Sequence, residues 1–341
     1  MKRYWIIGMA IFAAAWLIVS WTGEAVCGAD APLPGINPRA DFWRGVREGY
    51  AGTTTSASEG HKVLIQNGGQ NWRQIRNGPI AGIAPWLLAG VVFAIGVFFA
   101  IVGRDLLEEP RSGVTILRFS LFARILHWST AVLFILLALT GLSMLFGRAV
   151  LIPVFGQGAF ATYMQAGLLV HNFSGPLFLA GVLVEAIAWA KDNIPKKMDI
   201  VWFKNLGGMV GKGPRPHAGR VNGGEKGWFW FMLTAGLVSG VTGLILDFPI
   251  FGQSRQTMQI AHIIHASMGI LFLAASFGHI YIGTIGAEGT FEGMWRGKVD
   301  KVWAQQHNDL WYEQKAKELH LETKLNIPNQ RTSIVIGQST E

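Results

Sequence analysis

Cysteine is nearly absent: Cys27 is the single thiol in 341 residues. No disulfide can form within the chain, no cysteine-ligated iron–sulfur cluster can be held, and no Cys-x-x-Cys-His motif is present for covalent haem. A redox centre here would use nitrogen ligands or belong to a partner. Charge is scarce as well. Only 15% of residues are charged, against about 25% in an ordinary soluble domain, and half are hydrophobic. That balance points to the bilayer. The 14 Trp and 43 Gly agree with it, because tryptophan collects at membrane interfaces and glycine lets membrane helices approach. A formal charge of +8 could suit nucleic acid, but the basic residues gather in a few loops between apolar runs. Topology accounts for them, and no nucleic-acid partner is expected.

Five apolar runs lie at roughly 85–103, 121–146, 165–190, 228–247 and 257–286. Each reaches or approaches the ~20 residues that a helix needs to cross the hydrocarbon. They predict an all-α integral membrane protein, with a four-helix bundle over 121–286 and one additional N-terminal transmembrane helix at 84–104. Upstream, Lys2 and Arg3, the apolar run Tyr4 to Trp21 and the small residues around Cys27 lay out 1–29 as a signal peptide. An uncleaved signal anchor is the competing reading. Residues 30–83 are polar and without strong periodicity, and 287–341 form a polar tail with an amphipathic helical stretch near Trp303–Lys324.

The loops set the orientation. Arg104, Arg111 and Arg118 lie between the first two runs, and eight basic residues from Lys191 to Lys226 lie between the third and fourth. The remaining connections carry Arg148 and Arg255 alone. The positive-inside rule then places the basic loops and the C-terminus in the cytoplasm of a bacterial inner-membrane, multi-pass protein, with 30–83 periplasmic.

Carboxylates are missing from the middle of the runs, where a proton relay or transporter would carry them. Glu185 and Asp247 both fall towards run ends. Histidines are present instead. His127, His171, His262, His265 and His279 fall inside the apolar runs, whereas His61, His217, His307 and His320 read as ordinary external, loop or tail residues. Imidazole in hydrocarbon is a functional candidate by default. Following each run from its cytoplasmic or outer end pairs His171 with His265 near the outer face and His127 with His279 near the inner one. Fourteen residues separate His265 from His279, about 3.9 helical turns, so the two face nearly the same way about 21 Å apart along the helix. His262 points elsewhere and reads as a satisfied outer-leaflet residue or one near a partner.

Two opposed pairs at two depths suggest two bis-histidine haem b groups held between helices. A zinc site fits poorly, because the pairs are too far apart to share a metal and lack thiolate or acidic companions. One turn after each proposed ligand stands a small residue, Ala131, Gly175, Gly269 or Gly283, where a flat porphyrin could rest against the backbone. The loop Gly211–Gly227 is rich in glycine and proline and brings Asn222 and Lys226 to the end of the bundle where His127 and His279 lie. On residues alone it reads equally as a quinone-headgroup pocket and as a flexible basic loop.

The order of these histidines, together with Gly-Lys-Gly-x-x-Pro-x-Ala-Gly-Arg-x-Asn-x-Gly-x-Lys at 211–226, resembles the gamma subunit of respiratory formate dehydrogenase, its membrane cytochrome b. The likeness covers about 110–300, and Val63–Arg73 with the extra helix resembles longer bacterial members. The ligand pattern alone is shared with cytochromes b of nickel–iron hydrogenases and of thiosulfate or polysulfide reductases. The resemblance implies axial ligation by His171 and His265 in one haem and His127 and His279 in the other. It also implies a menaquinone or ubiquinone site at Asn222, Gly224 and His279, and partners comprising an iron–sulfur beta subunit and a molybdenum or tungsten alpha subunit. The chain would pass electrons to quinone without holding the formate site. Where the family often has Asn-Ala-Gly-Gln, this chain has Asn-Gly-Gly-Glu, a change that bears on proton delivery or quinone preference. From another class, a haem-free anchor or carrier is the alternative.

Overall fold

The computed structural model of the chain describes residues 67–210 and 215–324. The expected signal segment at 1–29, His61, most of the expected periplasmic segment and the start of the glycine-rich loop lie outside those residues. Helix α1, Asn67–Ile75, passes through a π-helical turn, Arg76–Ile80, into α2, Ala81–Val102. Pro79 lies in that turn; lacking an N–H, proline breaks the regular ladder. The helical stretch therefore starts well before the polar-to-apolar boundary at 83 that hydropathy suggests.

After β1, Thr115–Leu117, helix α3 spans Leu121–Trp189. Ser120 caps its start by accepting from the Ala123 N–H at 3.2 Å. Gly156, at φ 79° and ψ 166°, interrupts it in a region open essentially to glycine alone, dividing α3 into two arms. The apolar runs at 121–146 and 165–190 are thus the middles of longer helices. An arm of 35 residues is about 50 Å long, more than the ~30 Å of hydrocarbon. Then come α4, Lys197–Lys204, α5, Gly223–Asp247, and α6, Arg255–Tyr281. The chain ends in α7, Thr290–Arg296, β2, Lys298–Asp300, α8, Lys301–His307, and α9, Asp309–Lys324. Among the described residues four helical stretches are long and apolar enough to cross a membrane: Gly68–Val102, Leu121–Trp189, Gly223–Asp247 and Arg255–Gly286.

Two compact units are distinguished. Of the described residues, the first contains 67–90, Leu136–Pro176 and Val238–Leu271. Here the arms of α3 meet through Ser143 and Tyr163, whose hydroxyls lie 2.8 Å apart, and through Gly167, where an added Cβ would meet Thr140 at 3.8 Å.

Of the described residues, the second unit contains Val91–Ile135, those within Leu177–Leu237, and 272–324. Phe134, Phe178, Phe272 and Trp228 form an aromatic centre, the closest rings being Phe134 and Phe272 at 4.7 Å. A Cβ on Gly236 would come within 3.0 Å of Val182, and one on Gly181 within 2.7 Å of the Thr130 hydroxyl, so small residues set these helix crossings.

The tail in this unit is no free helix. β1 and β2 pair antiparallel, with Thr115 opposite Asp300 and Ile116 opposite Val299, and Ile116, Val299, Trp303, Ala304 and Trp311 form a small core. Asp300 caps α8 through the Val302 N–H at 2.8 Å and accepts from Ser112 and Gly113. Burial opposes its charge, yet these donors hold its carboxyl below the usual aspartate range. Asn308 breaks the expected amphipathic stretch. It is fully buried and donates to the Gly219 carbonyl at 2.7 Å.

Candidate functional site

In the first unit the structure brings His171 and His265 together, with ring centroids 6.0 Å apart. In the second it brings His127 and His279 together at 6.2 Å. Two imidazoles bound to opposite sides of one metal, each at the ~2 Å usual for a ring nitrogen, have centroids about 6 Å apart. Both pairs therefore fit a single iron between them.

Hydrogen bonding fixes the tautomers of the first pair. His265 Nδ1 lies 2.9 Å from the Ser239 carbonyl oxygen, which only accepts, so Nδ1 carries the proton. His171 Nδ1 lies 2.8 Å from the Thr140 hydroxyl. That hydroxyl gives its one hydrogen to the Leu136 carbonyl at 2.6 Å, so it accepts from His171. Both rings consequently keep an unprotonated Nε2, the form in which imidazole binds a metal, oriented by a partner on its other nitrogen. Glycine lets the helices close on these rings: a Cβ on Gly141 would lie 3.5 Å from His171 Cε1, and one on Gly243 would lie 3.3 Å from His265 Cε1.

The second pair is held differently. His279 stacks on Trp228, with centroids 4.3 Å apart and an interplanar angle of 7°, and His127 stands edge-on to Trp128 at 5.2 Å. The Nδ1 of His127 is buried without a hydrogen-bond partner. Among the described residues no cluster of three or more His, Cys, Asp and Glu side chains offers a metal site. Of the glycines one turn from the ligands, Gly175, Gly269 and Gly283 would each accept a Cβ without meeting any atom within 4 Å. That open space is what a flat macrocycle lying against the helix would need.

At the start of α5, Asn222 and Glu225 form a reciprocal cap. The Glu225 N–H donates to Asn222 Oδ1 and the Asn222 N–H to Glu225 Oε2, both at 2.9 Å. The other Glu225 oxygen lies 2.6 Å from Arg118, whose guanidinium also sits 4.6 Å over the Trp303 ring. Gly224 faces Trp202, and a Cβ there would be 2.5 Å from Cη2. Lys226 is buried and bonds both carboxylate oxygens of Asp199, at 3.0 and 2.8 Å. His279 meets α5 at Trp228, six positions after Asn222.

His262 Nδ1 accepts the indole N–H of Trp72 at 3.3 Å. Glu185 is buried against Thr130. Sequence reasoning missed Trp228, Arg118, Trp202 and the Asp199–Lys226 pair. The available signal was Asp199, one of few acids in a basic loop, close to a tryptophan that two consecutive glycines later accommodate.

Residues 118–297 match the family model described as prokaryotic cytochrome b561. The chain is 31% identical over 204 residues to the cytochrome b556(Fdn) subunit of the nitrate-inducible formate dehydrogenase of Escherichia coli K12, covering 58% of this chain and 91% of that subunit. It is 29% identical over 206 residues to the cytochrome b556(fdo) subunit of the same organism, covering 60% and 94%. It is also 29% identical over 213 residues to the cytochrome b556 subunit of Haemophilus influenzae formate dehydrogenase, covering 60% and 86%.

Proposed function

Because the chain belongs to the prokaryotic cytochrome b561 family, among the cytochrome b subunits of formate dehydrogenase, we propose that it carries electrons from formate oxidation to membrane quinone. His171 and His265 would hold one haem b, and His127 and His279 a second. When bound, these groups supply one-electron carriers between an iron–sulfur subunit, fed by a molybdenum or tungsten catalytic subunit, and menaquinone or ubiquinone. The bundle would sit in the bacterial inner membrane with 30–83 periplasmic and the tail cytoplasmic. The formate site lies on a partner.

The reading rests on two pairs of imidazoles at the spacing of one metal each, with Nε2 unprotonated in the first pair. Thr140 and Ser239 orient that pair, and Trp228 orients His279. Asn222, Gly224 and His279 would border the quinone headgroup. Both Glu225 oxygens are committed, to Arg118 and to the Asn222 N–H. Position 225 therefore braces the loop through both carboxylate oxygens.

A dithionite-reduced spectrum of the purified complex tests this. We expect a b-type α-band with two haems per chain; its absence would leave the anchor or carrier reading. His279→Ala is expected to remove one haem and quinone reduction together, and His262→Ala to retain both haems. Haem reduction by hydrogen rather than formate would assign the same module to a hydrogenase.

A further inference from the structure

Helix α1 lies outside the region matched by the family model, which begins at residue 118. It nonetheless packs against the helix that carries His265. Cβ atoms on Gly68 and Gly69 would meet the Gln259 side chain at 3.3 and 3.6 Å. One turn further along each helix, Trp72 donates to His262 Nδ1, with the two rings edge to face at 5.3 Å. Indole is a donor only, so His262 Nδ1 is the acceptor and its proton resides on Nε2. One turn beyond Trp72, Arg76 donates to the Met144 carbonyl at 3.2 Å. Met144 lies one turn from Gly141, which adjoins His171. Arg76 is also within Coulomb range of His262.

Arg76 thus contacts the helix one turn from the residue that adjoins His171, and His262 stands one turn before His265 on α6. Among the described residues of this unit the cations are Arg73, Arg76, Arg148 and Arg255, and Asp247 is the sole carboxylate. Arg76 has no carboxylate partner among the described residues, and only two of its five N–H groups are engaged, with Asn77 Oδ1 and the Met144 carbonyl.

We propose that Arg76 and the Nε2–H of His262 anchor the propionate carboxylates of the haem held by His171 and His265, with Trp72 as the positioning residue that fixes the His262 tautomer. This rests on the cytochrome reading above. Haem b carries two carboxylates at one edge, and a guanidinium and a neutral N–H donor match them in charge and hydrogen bonding. Helix α1 thereby becomes part of a cofactor site. A cation beside the propionates disfavours the oxidised, positively charged iron centre and raises its potential, as does a hydrogen bond that draws propionate charge away from the iron.

The test is a potentiometric titration of the haem α-bands in membranes containing the assembled complex. Arg76→Gln is expected to lower the midpoint potential of one haem and leave the other unchanged, with both haems retained. Arg76→Lys should recover most of that loss. His262→Ala should shift the same haem downward, and Trp72→Phe should do so by less. Parent potentials in both His262→Ala and Arg76→Gln, or equal shifts of both haems, would overturn the proposal. If Arg76→Gln does not assemble, His262→Ala and Arg76→Lys decide by the same criterion. A parent complex without any b-type band sinks the functional reading itself, an outcome separate from unshifted potentials.

Discussion

Lys226 and Asp199 show what a single contact decides in this molecule. The ammonium is buried and its carboxylate partner nearly so. Removing one member of such a pair leaves an uncompensated charge and costs about 3–5 kcal/mol, whereas replacing both by apolar residues is often neutral. Asp199→Ala is therefore expected to lower the thermal midpoint of the detergent-solubilised protein markedly, and Asp199→Leu with Lys226→Met to restore most of it. A double variant as unstable as the single one would show that the charges themselves are needed. At this scale the histidine pairing was legible in the sequence, because depth and the fourteen-residue interval left few ways for His127, His171, His265 and His279 to meet. Lys226 was not. Flanked by glycine before a span, it reads as a positive-inside marker, and the acid that neutralises it stands 27 residues away on a helix too short to show periodicity.

Among the elements, α3 departs most from its apparent pattern. Hydropathy reports which residues tolerate lipid, and the polar and small residues between 147 and 164 suggest a loop. Helical hydrogen bonding continues through them nonetheless, up to Gly156 on one side and away from it on the other. Nothing lies within 4 Å of a Cβ placed on Gly156, so the backbone alone demands glycine there. Gly156→Ala should cost about 1–3 kcal/mol from strain, visible as a lower melting temperature with the haem spectrum unchanged below it. An unaltered midpoint would mean that the turn relaxes to another conformation. The tail misled for a related reason: spacing near Trp303–Lys324 suggested one amphipathic helix, but Asn308 divides it and turns Trp303 and Trp311 into a core. Side-chain bonds to Gly219 and Arg118, distant in sequence, make that break.

For the whole molecule, the segments outside the candidate spans carry a small core of their own, and a pH response follows from His307. Burial pushes this imidazole down to about 4; Asp105 opposes, and Arg215 and Arg118 act in the same sense as burial. An unfolded chain takes up a proton there near pH 6.5, so between about 6.5 and 4 the unfolded state binds the extra proton and stability falls as pH falls. His307→Gln should flatten the acid side of the stability profile measured by melting from pH 7 to 5. His217 works against this, since Asp309 raises its pKa through a hydrogen bond and favours its charged form in the fold. An unchanged acid slope in His307→Gln would place the acid sensitivity elsewhere.

Arg118 is enclosed by Phe119, Trp303 and Trp311 and joined to Asn308. Asp300 ties down Ser112 in the same way, and these partners lie 190 and 188 residues apart in the chain. During synthesis the early segment must therefore wait, its guanidinium wet and its strand unpaired, until nearly every membrane helix has left the ribosome. The nascent protein stays unlatched at this end through most of translation, because each of these two pairs needs a residue that follows the last candidate span.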